Sequence, residues 1–213
     1  MLSSAAGLLA AGCAGNPVFR TIESATARAT GMPRDVKIDR ATIAKIPYAT
    51  IQARFGGGPS ALLVLNAYDG ETLEWIDTDN NLLATRAGRL VKTVGFREDL
   101  RRVVLEGTDP LADAPQHLAG PARFSMRYDL MASTLDVVQL ASRVEPMGEE
   151  TITIAEIDFK TTRLRERCNA VSTKWAFNND YWVDIYDGFV WRSRQHFAKS
   201  LPPLTIEVLK PAA

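Results

Sequence analysis

Three dipeptides ending in glycine separate short apolar runs of this chain, and these turns constrain its fold more than any other feature. Asp69-Gly70, Ala87-Gly88 and Asp187-Gly188 each stand where one run stops and the next begins. Two-residue hairpin turns require positive backbone φ angles, which glycine adopts without a steric cost. The chain is therefore predicted to be mainly β, with antiparallel hairpins that follow one another as a meander.

The apolar runs between these turns have the lengths of strands in globular proteins. Their alternation predicts strands at 46–55, 61–68, 72–76, 82–85, 90–94, 124–130, 181–186, 189–197 and 204–209, while 135–144 fits either a strand or a short helix. Residues 98–104 favour one or two helical turns. Between Thr151 and Phe159 the alternation slips at Ala155 and Glu156, which predicts a bulge inside one strand. Such strands would form a sandwich or a half-open barrel.

The turn at Asp187-Gly188 also predicts which side chains of the third hairpin share a face. With a tight turn there, Trp191 stands opposite Asp184. Arg192 and Arg194 then lie on the other face of the sheet. A charged partner for Asp184 would have to come from a different strand.

The first residues, MLSSAAGLLAAGC, are typical of a secretion signal rather than of a core element. Small residues precede Cys13, as in the lipobox of bacterial lipoproteins, whose cysteine is acylated and becomes the first residue. Residues 1–12 contain no Lys or Arg, so they are interpreted as a truncated signal peptide. The alternative is an Ala-rich helix that contains a buried thiol.

The domain organisation follows from this boundary at Cys13. Residues 13–33 are expected to hold the lipid anchor, a linker and a short N-terminal helix over 18–30, which Asn16-Pro17 would begin. Residues 34–213 are expected to form a single β-rich domain. No stretch beyond Cys13 approaches the roughly 20 apolar residues of a membrane-spanning helix.

Composition excludes several classes of function. The chain has 25 basic and 25 acidic residues, so no overall positive field would attract nucleic acid. It has two cysteines and two histidines, too few for zinc or iron–sulfur clusters, and no cofactor is expected. The numbers of cysteines and histidines do not exclude a calcium or magnesium ion bound by carboxylates. Cys168 would be unpaired once Cys13 is acylated, and it is predicted to be buried.

Four segments together resemble a known family: GGGPSALLVLNAYDGETLEWID, RAGRLVKTVGF, NNDYWVDIYDGFVWRSRQHF and TIEVLKP. In this order and spacing they are similar to the YjbF/GfcB family of exopolysaccharide and group 4 capsule lipoproteins, over residues 47–211. The resemblance implies a lipid-anchored outer-membrane protein that faces the periplasm and assists polysaccharide export. It also implies partner proteins in a secretion system, the polysaccharide as a further candidate partner, and a lipid on Cys13 that attaches the protein to the membrane. Ala14 after that cysteine fits outer-membrane sorting.

The residues themselves indicate contacts rather than catalysis. Trp182 and Asp184 could contact a glycan, and Asp184 with Glu156 or Asp158 could form a carboxylate pair of the glycosidase type. A strand carboxylate more often pairs with a donor on a neighbouring strand. Possible glycan or partner contacts are therefore Trp182, Asp184, Arg192, Arg86 and Arg89, with no catalytic and no metal residue. The protein is predicted not to be an enzyme; the alternative is a periplasmic glycan-binding or glycan-modifying protein.

Overall fold

The structure is a computed structural model that describes residues 38–132 and 134–212. Within these residues, one short α-helix precedes twelve strands, and a 3-10 helix interrupts them. Their bounds are α1 Arg40–Ala44, β1 Thr50–Phe55, β2 Ser60–Asp69, β3 Thr72–Ile76, β4 Leu82–Arg86, β5 Arg89–Val94, β6 Asp99–Glu106, the 3-10 helix Pro115–His117, β7 Ala122–Met131, β8 Leu135–Ile154, β9 Ile157–Ala170, β10 Ala176–Asp184, β11 Val190–Gln195 and β12 Leu204–Lys210.

All twelve strands belong to one antiparallel sheet, in the order β5-β4-β3-β2-β1-β12-β11-β10-β9-β8-β7-β6. Strands that are consecutive in sequence are neighbours, except that the first strand pairs with the last: Ala53 of β1 lies opposite Ile206 of β12. The sheet therefore curls into a nearly closed, barrel-like form. The predicted mainly β meander is confirmed, and of the two predicted arrangements the half-open barrel is the observed one.

The two ends of this sheet, β5 and β6, meet through side chains. No backbone ladder joins them within 38–132 and 134–212. Instead the buried Thr93 hydroxyl donates to Asp99 Oδ1 at 2.9 Å and accepts from Leu100 N–H at 2.9 Å. Asp99 also accepts from the N–H groups of Gly95 and Phe96, both at 3.2 Å. One threonine and one aspartate thus satisfy three backbone N–H groups at this junction.

The predicted glycine turns are present, with φ angles of +61° at Gly70, +76° at Gly88 and +79° at Gly188. The first two close hairpins around the predicted positions. At Gly188 the connection is longer, because β10 ends at Asp184 and β11 begins only at Val190. The pairing of these two strands also shifts between Trp182 and Val183 through a bulge.

Two local predictions are wrong. Residues 99–106 form β6 rather than helical turns, because pairing with β7 and burial of Leu100 and Val103 override the local pattern. Ala155 and Glu156 are not a bulge: their φ angles of +45° and +68° make them the central residues of a tight turn that joins β8 to β9. The predicted helix over 18–30 lies outside the described residues. Helix α1 is capped by Asp39, whose carboxylate accepts from Thr42 N–H at 2.8 Å.

Apolar residues pack on both faces of the sheet. The inner face holds the main core, which includes Ile51, Leu63, Trp75, Leu83, Leu100, Met126, Leu140, Phe177, Phe197 and Leu204. On the outer face, Ile43 of α1 clusters with Ile152 and Ile154 of β8 and Leu209 of β12. Trp182 and Trp191 pack against the edge of this outer cluster. The helix therefore covers part of the outer surface near Trp182, one of the predicted contact residues.

Candidate functional site

Arg89 lies inside the sheet, not at its surface. It is 1% exposed, and its guanidinium contacts Asp109 with both Nε and Nη2, at 2.8 and 3.0 Å. Its Nη1 donates to both carboxylate oxygens of Glu166, at 2.9 and 3.0 Å. Arg89 was expected among surface contacts at a turn, so this placement is a correction. The reason is that two carboxylates inside the sheet compensate the buried charge, which sequence spacing does not show.

Polar groups around Glu166 complete a buried network. The Tyr181 hydroxyl donates to Glu166 at 2.9 Å, and the Asn179 amide donates to it at 3.0 Å. Gln195 binds the backbone of the Ala87-Gly88 hairpin, accepting from Leu90 N–H and donating to the Gly88 carbonyl, both at 2.9 Å. The network thereby fastens the β4–β5 hairpin to β9, β10 and β11 across the interior.

The titrating groups of the interior are held in unreactive states. Burial raises the pKa of Asp109, but the Arg89 charge and hydrogen bonds lower it further, so the net pKa lies below the usual value. Burial raises the pKa of the Cys168 thiol and of the Tyr181 phenol well above their usual values. Cys168 is buried and free, as predicted. A protonated, buried thiol is a poor nucleophile.

An apolar cavity of about 110 Å³ lies beside this network. Its lining includes Ile51, Leu73, Trp75, Ile206 and Val208. The Trp75 indole N–H is already bonded to the Thr85 hydroxyl at 2.9 Å. Small-molecule sites usually measure roughly 300–1,000 Å³ and present several convergent polar groups. This cavity has neither property.

Trp182 and Arg192 lie opposite each other on the outer face of β10 and β11. The expected register, which put Arg192 on the other face, is wrong because the bulge after Trp182 changes the pairing. The guanidinium groups of Arg163 and Arg192 lie 5.5 and 5.6 Å from the Trp182 ring centre, within range of cation–π attraction. Arg192 also donates to Glu207 at 2.6 Å and to the Thr153 carbonyl at 3.0 Å.

Asp184 holds the end of β10 rather than forming a carboxylate pair. Its carboxylate accepts from the Trp191 indole N–H and from Tyr186 N–H, both at 2.9 Å. Asp158, one of its possible partners, is instead bonded to Thr153 at 2.6 Å. Trp191 stacks on Phe159 with ring centres 4.0 Å apart. Arg86 is half-buried at the end of β4, and its charge helps to lower the pKa of Asp109.

Sequence reasoning missed Glu166, Asp109 and Arg163. Glu166 and Arg163 lie on a polar strand of alternating charges, where nothing local distinguishes the inward residue from the outward one. Over 38–132 and 134–212 no group of three or more His, Cys, Asp or Glu side chains could hold a metal ion. No helix in this part of the chain is long and apolar enough to cross a membrane.

The fold and the outer site define a class: a barrel-like β protein with an apolar core, a buried polar network around Arg89 and a partly exposed outer surface of tryptophan and arginine. Comparison with protein families identifies the particular group. The model of the family described as group 4 capsule polysaccharide lipoprotein GfcB, YjbF matches residues 18–209. The chain belongs to this family, as the resemblance of its hairpin segments predicted.

Two Escherichia coli K12 relatives are similar along most of their length. The uncharacterized lipoprotein GfcB is 30% identical over 182 residues, 84% of each chain. The uncharacterized lipoprotein YjbF is 25% identical over 170 residues, 80% of this chain and 79% of the relative. The crystal structure of the hypothetical E. coli K12 lipoprotein YmcC superposes with a TM-score of 0.75 at 29% identity. The superposition covers 81% of this chain and 89% of the YmcC chain. These lipoprotein relatives imply a lipid-anchored, envelope-associated protein.

Proposed function

We propose that this protein is an outer-membrane lipoprotein that assists the export or assembly of an extracellular or capsular polysaccharide as a non-enzymatic component. The observation that carries the proposal is membership of the capsule lipoprotein family across residues 18–209. The protein would face the periplasm and act together with partner proteins of a secretion system.

The side-chain arrangement supports a non-enzymatic role. Asp184 is engaged by Trp191 and Tyr186, and Arg89 is engaged by two carboxylates. The Cys168 thiol is buried, and its raised pKa keeps it protonated. Acid, base and nucleophile are therefore not assembled in one accessible place among the described residues. A component that binds or organises needs a stable surface, which the barrel-like sheet supplies.

Attachment to the membrane would come from lipid on Cys13. Each buried methylene adds about 0.8 kcal/mol of membrane affinity, so two or three acyl chains anchor a protein stably. Mass spectrometry of the mature protein from a Gram-negative host, with the full gene, should find an acylated cysteine at its N-terminus. Recovery of an unmodified Cys13 within a longer mature chain would contradict the anchor.

Deletion of the gene tests the proposed role directly. In a strain that makes the polysaccharide, we expect secreted polymer to fall while intracellular polymer persists or accumulates. Return of the wild-type gene should restore secretion, and a Cys13→Ala gene should not. Unchanged secretion in the deletion strain would refute the proposal.

A further inference from the structure

Arginines occupy three adjacent rows on the outer face of the sheet. The first row joins Arg123, Arg143, Arg167 and Asn178 across β7 to β10. The second joins Glu145, Arg165, Asp180, Arg194, Thr205 and Arg54 across β8 to β1. The third joins Arg163, Trp182, Arg192, Glu207 and Gln52 across β9 to β1. We call these three rows the arginine face.

The arginine face is strongly positive although the chain as a whole is neutral. It holds eight arginines and three carboxylates, an excess of five positive charges. The acids are already shared: Asp180 pairs with Arg163 and Arg165, Glu145 with Arg143 and Arg167. The third acid, Glu207, pairs with Arg192. Arg123 and Arg194 are exposed. Net charge alone therefore conceals a basic surface.

The first row places like charges directly opposite one another. Arg123 lies opposite Arg143, which lies opposite Arg167. Like charges at opposed positions of a sheet are destabilising. Glu145 compensates the Arg143 and Arg167 pair, because it forms ion pairs with both, so the opposed charges of Arg123 and Arg143 are the ones that favour an added anion. Arg143 Nε is buried and has no hydrogen-bond partner among the described residues. An anionic ligand on this row would relieve the opposition of Arg123 to Arg143.

The residue type and the spacing indicate the chemistry of that ligand. The positive residues of all three rows are arginines rather than lysines, and the arginine fork matches carboxylates in a bidentate geometry. Neighbouring strands lie about 4.8 Å apart, close to the length of one sugar unit in an extended chain. A row that crosses several strands can thus meet charges carried on successive sugars.

We infer that the arginine face binds an acidic polysaccharide, whose carboxylates lie along the rows that cross β7 to β12. This inference rests on the proposed function and adds the substrate class and the surface. Trp182 acts as a positioning residue, because its ring holds the guanidinium groups of Arg163 and Arg192 over the sheet. The face is formed by strands, so it is rigid before the polymer binds.

Binding of the full chain to polygalacturonate tests the inference, with dextran as the neutral polymer and vesicles containing phosphatidylglycerol as the anionic lipid surface. We expect binding to polygalacturonate that weakens with salt, and none to dextran. The triple variant Arg123→Gln, Arg167→Gln, Arg194→Gln should bind about tenfold more weakly, because each exposed charge contributes a modest amount. These residues are partly or fully exposed, so the variant should remain folded.

The matched control removes three exposed charges elsewhere: Arg97→Gln, Arg101→Gln, Lys199→Gln. It should bind like the wild type. The inference would be overturned if both triple variants lost the same amount of affinity for polygalacturonate, or if the protein bound dextran as well as polygalacturonate. Binding to the vesicles but not to polygalacturonate would also overturn it. The proposed function is tested separately by deletion. If the deletion strain secretes normally while the protein binds polygalacturonate in vitro, only the proposed function is refuted. If secretion depends on the gene but the protein does not bind polygalacturonate, only the inference is refuted.

Discussion

Arg89 shows how much of this fold depends on one side chain. It links β5 to Asp109, in the segment between β6 and β7, and to Glu166 on β9. A buried ion pair contributes little net stability when complete, since desolvation offsets the attraction. Loss of one partner is costly because the other charge remains buried and unpaired. The residue is therefore more sensitive to substitution than its location beside a turn indicates.

Arg89→Met should lower the free energy of unfolding by about 3–5 kcal/mol, because Glu166 is left as an uncompensated buried charge. Chemical denaturation measures the change. Arg97→Met, at an exposed site, should change stability by less than about 0.5 kcal/mol. The double variant Arg89→Met, Glu166→Gln should recover part of the loss. A single variant within about 1 kcal/mol of the wild type would show that the network does not stabilise the fold.

Gly88 is needed for two reasons at the same turn. Its φ angle is +76°, and an added Cβ would lie 2.5 Å from Val190 Cβ on β11. Gly88→Ala should therefore cost about 3 kcal/mol of stability through overpacking and backbone strain. Thermal unfolding tests this. A Cβ added at Gly57 would have no heavy atom within 4 Å, and Gly57 does not have a positive φ. The melting temperature of the Gly57→Ala variant should therefore match that of the wild type or exceed it slightly.

At the level of elements, we expect the junction between β5 and β6 to be the weakest part of the sheet, because no backbone ladder joins these strands in the described residues. Elsewhere neighbouring strands share backbone ladders, whereas this junction relies on Thr93 and Asp99. Elements with fewer backbone hydrogen bonds open at lower free energy. Opening of the sheet is therefore expected to begin here.

Thr93→Val keeps the shape of the side chain but removes the hydroxyl, which leaves the buried Leu100 N–H unpaired. We expect a loss of about 1–3 kcal/mol. Hydrogen exchange should accelerate selectively in β5 and β6. Thr151→Val, on the exposed side of β8, supplies the comparison and should leave both measurements unchanged. Uniform acceleration throughout the sheet would argue against a local junction.

At the scale of the whole molecule, the ion pairs between carboxylates and arginines make the free energy of unfolding depend on pH. Burial raises the pKa of Asp109 and of Asp180, but the arginines that pair with each lower it further, so both net pKa values lie below the usual value. Their contribution is complete above the unfolded pKa of about 4 and is lost as pH falls through the folded values.

The contribution of these two groups to the free energy of unfolding should therefore be nearly constant from pH 7 to about pH 5. It should decline below about pH 4. Denaturation curves at a series of pH values measure this. The variant Asp109→Asn, Asp180→Asn should be less stable at neutral pH and should show a shallower decline in acid. An equally steep decline in the variant would assign the acid sensitivity to other groups.

Local chemistry accounts for the parts of the fold that were predicted correctly. Gly70 and Gly88 mark hairpin turns because positive φ is a property of the residue itself, and alternation in 124–130 marks a strand because one face is buried. Residues 98–104 were misassigned because pairing with β7 is not a local property. The turn at Ala155 and Glu156 is not predictable from residue type, because neither alanine nor glutamate favours positive φ.

The candidate site was less accessible to prediction, for a related reason. The family segments, the anchor motif at Cys13 and the neutral composition can be recognised in a linear sequence. Which arginine is buried with carboxylates and which arginines share a face depends on register. A single bulge after Trp182 brought Arg192 to its side of the sheet. Turn positions and strand character thus follow from residue chemistry, whereas the buried Arg89 network and the arginine face exist only because distant strands pair in one register.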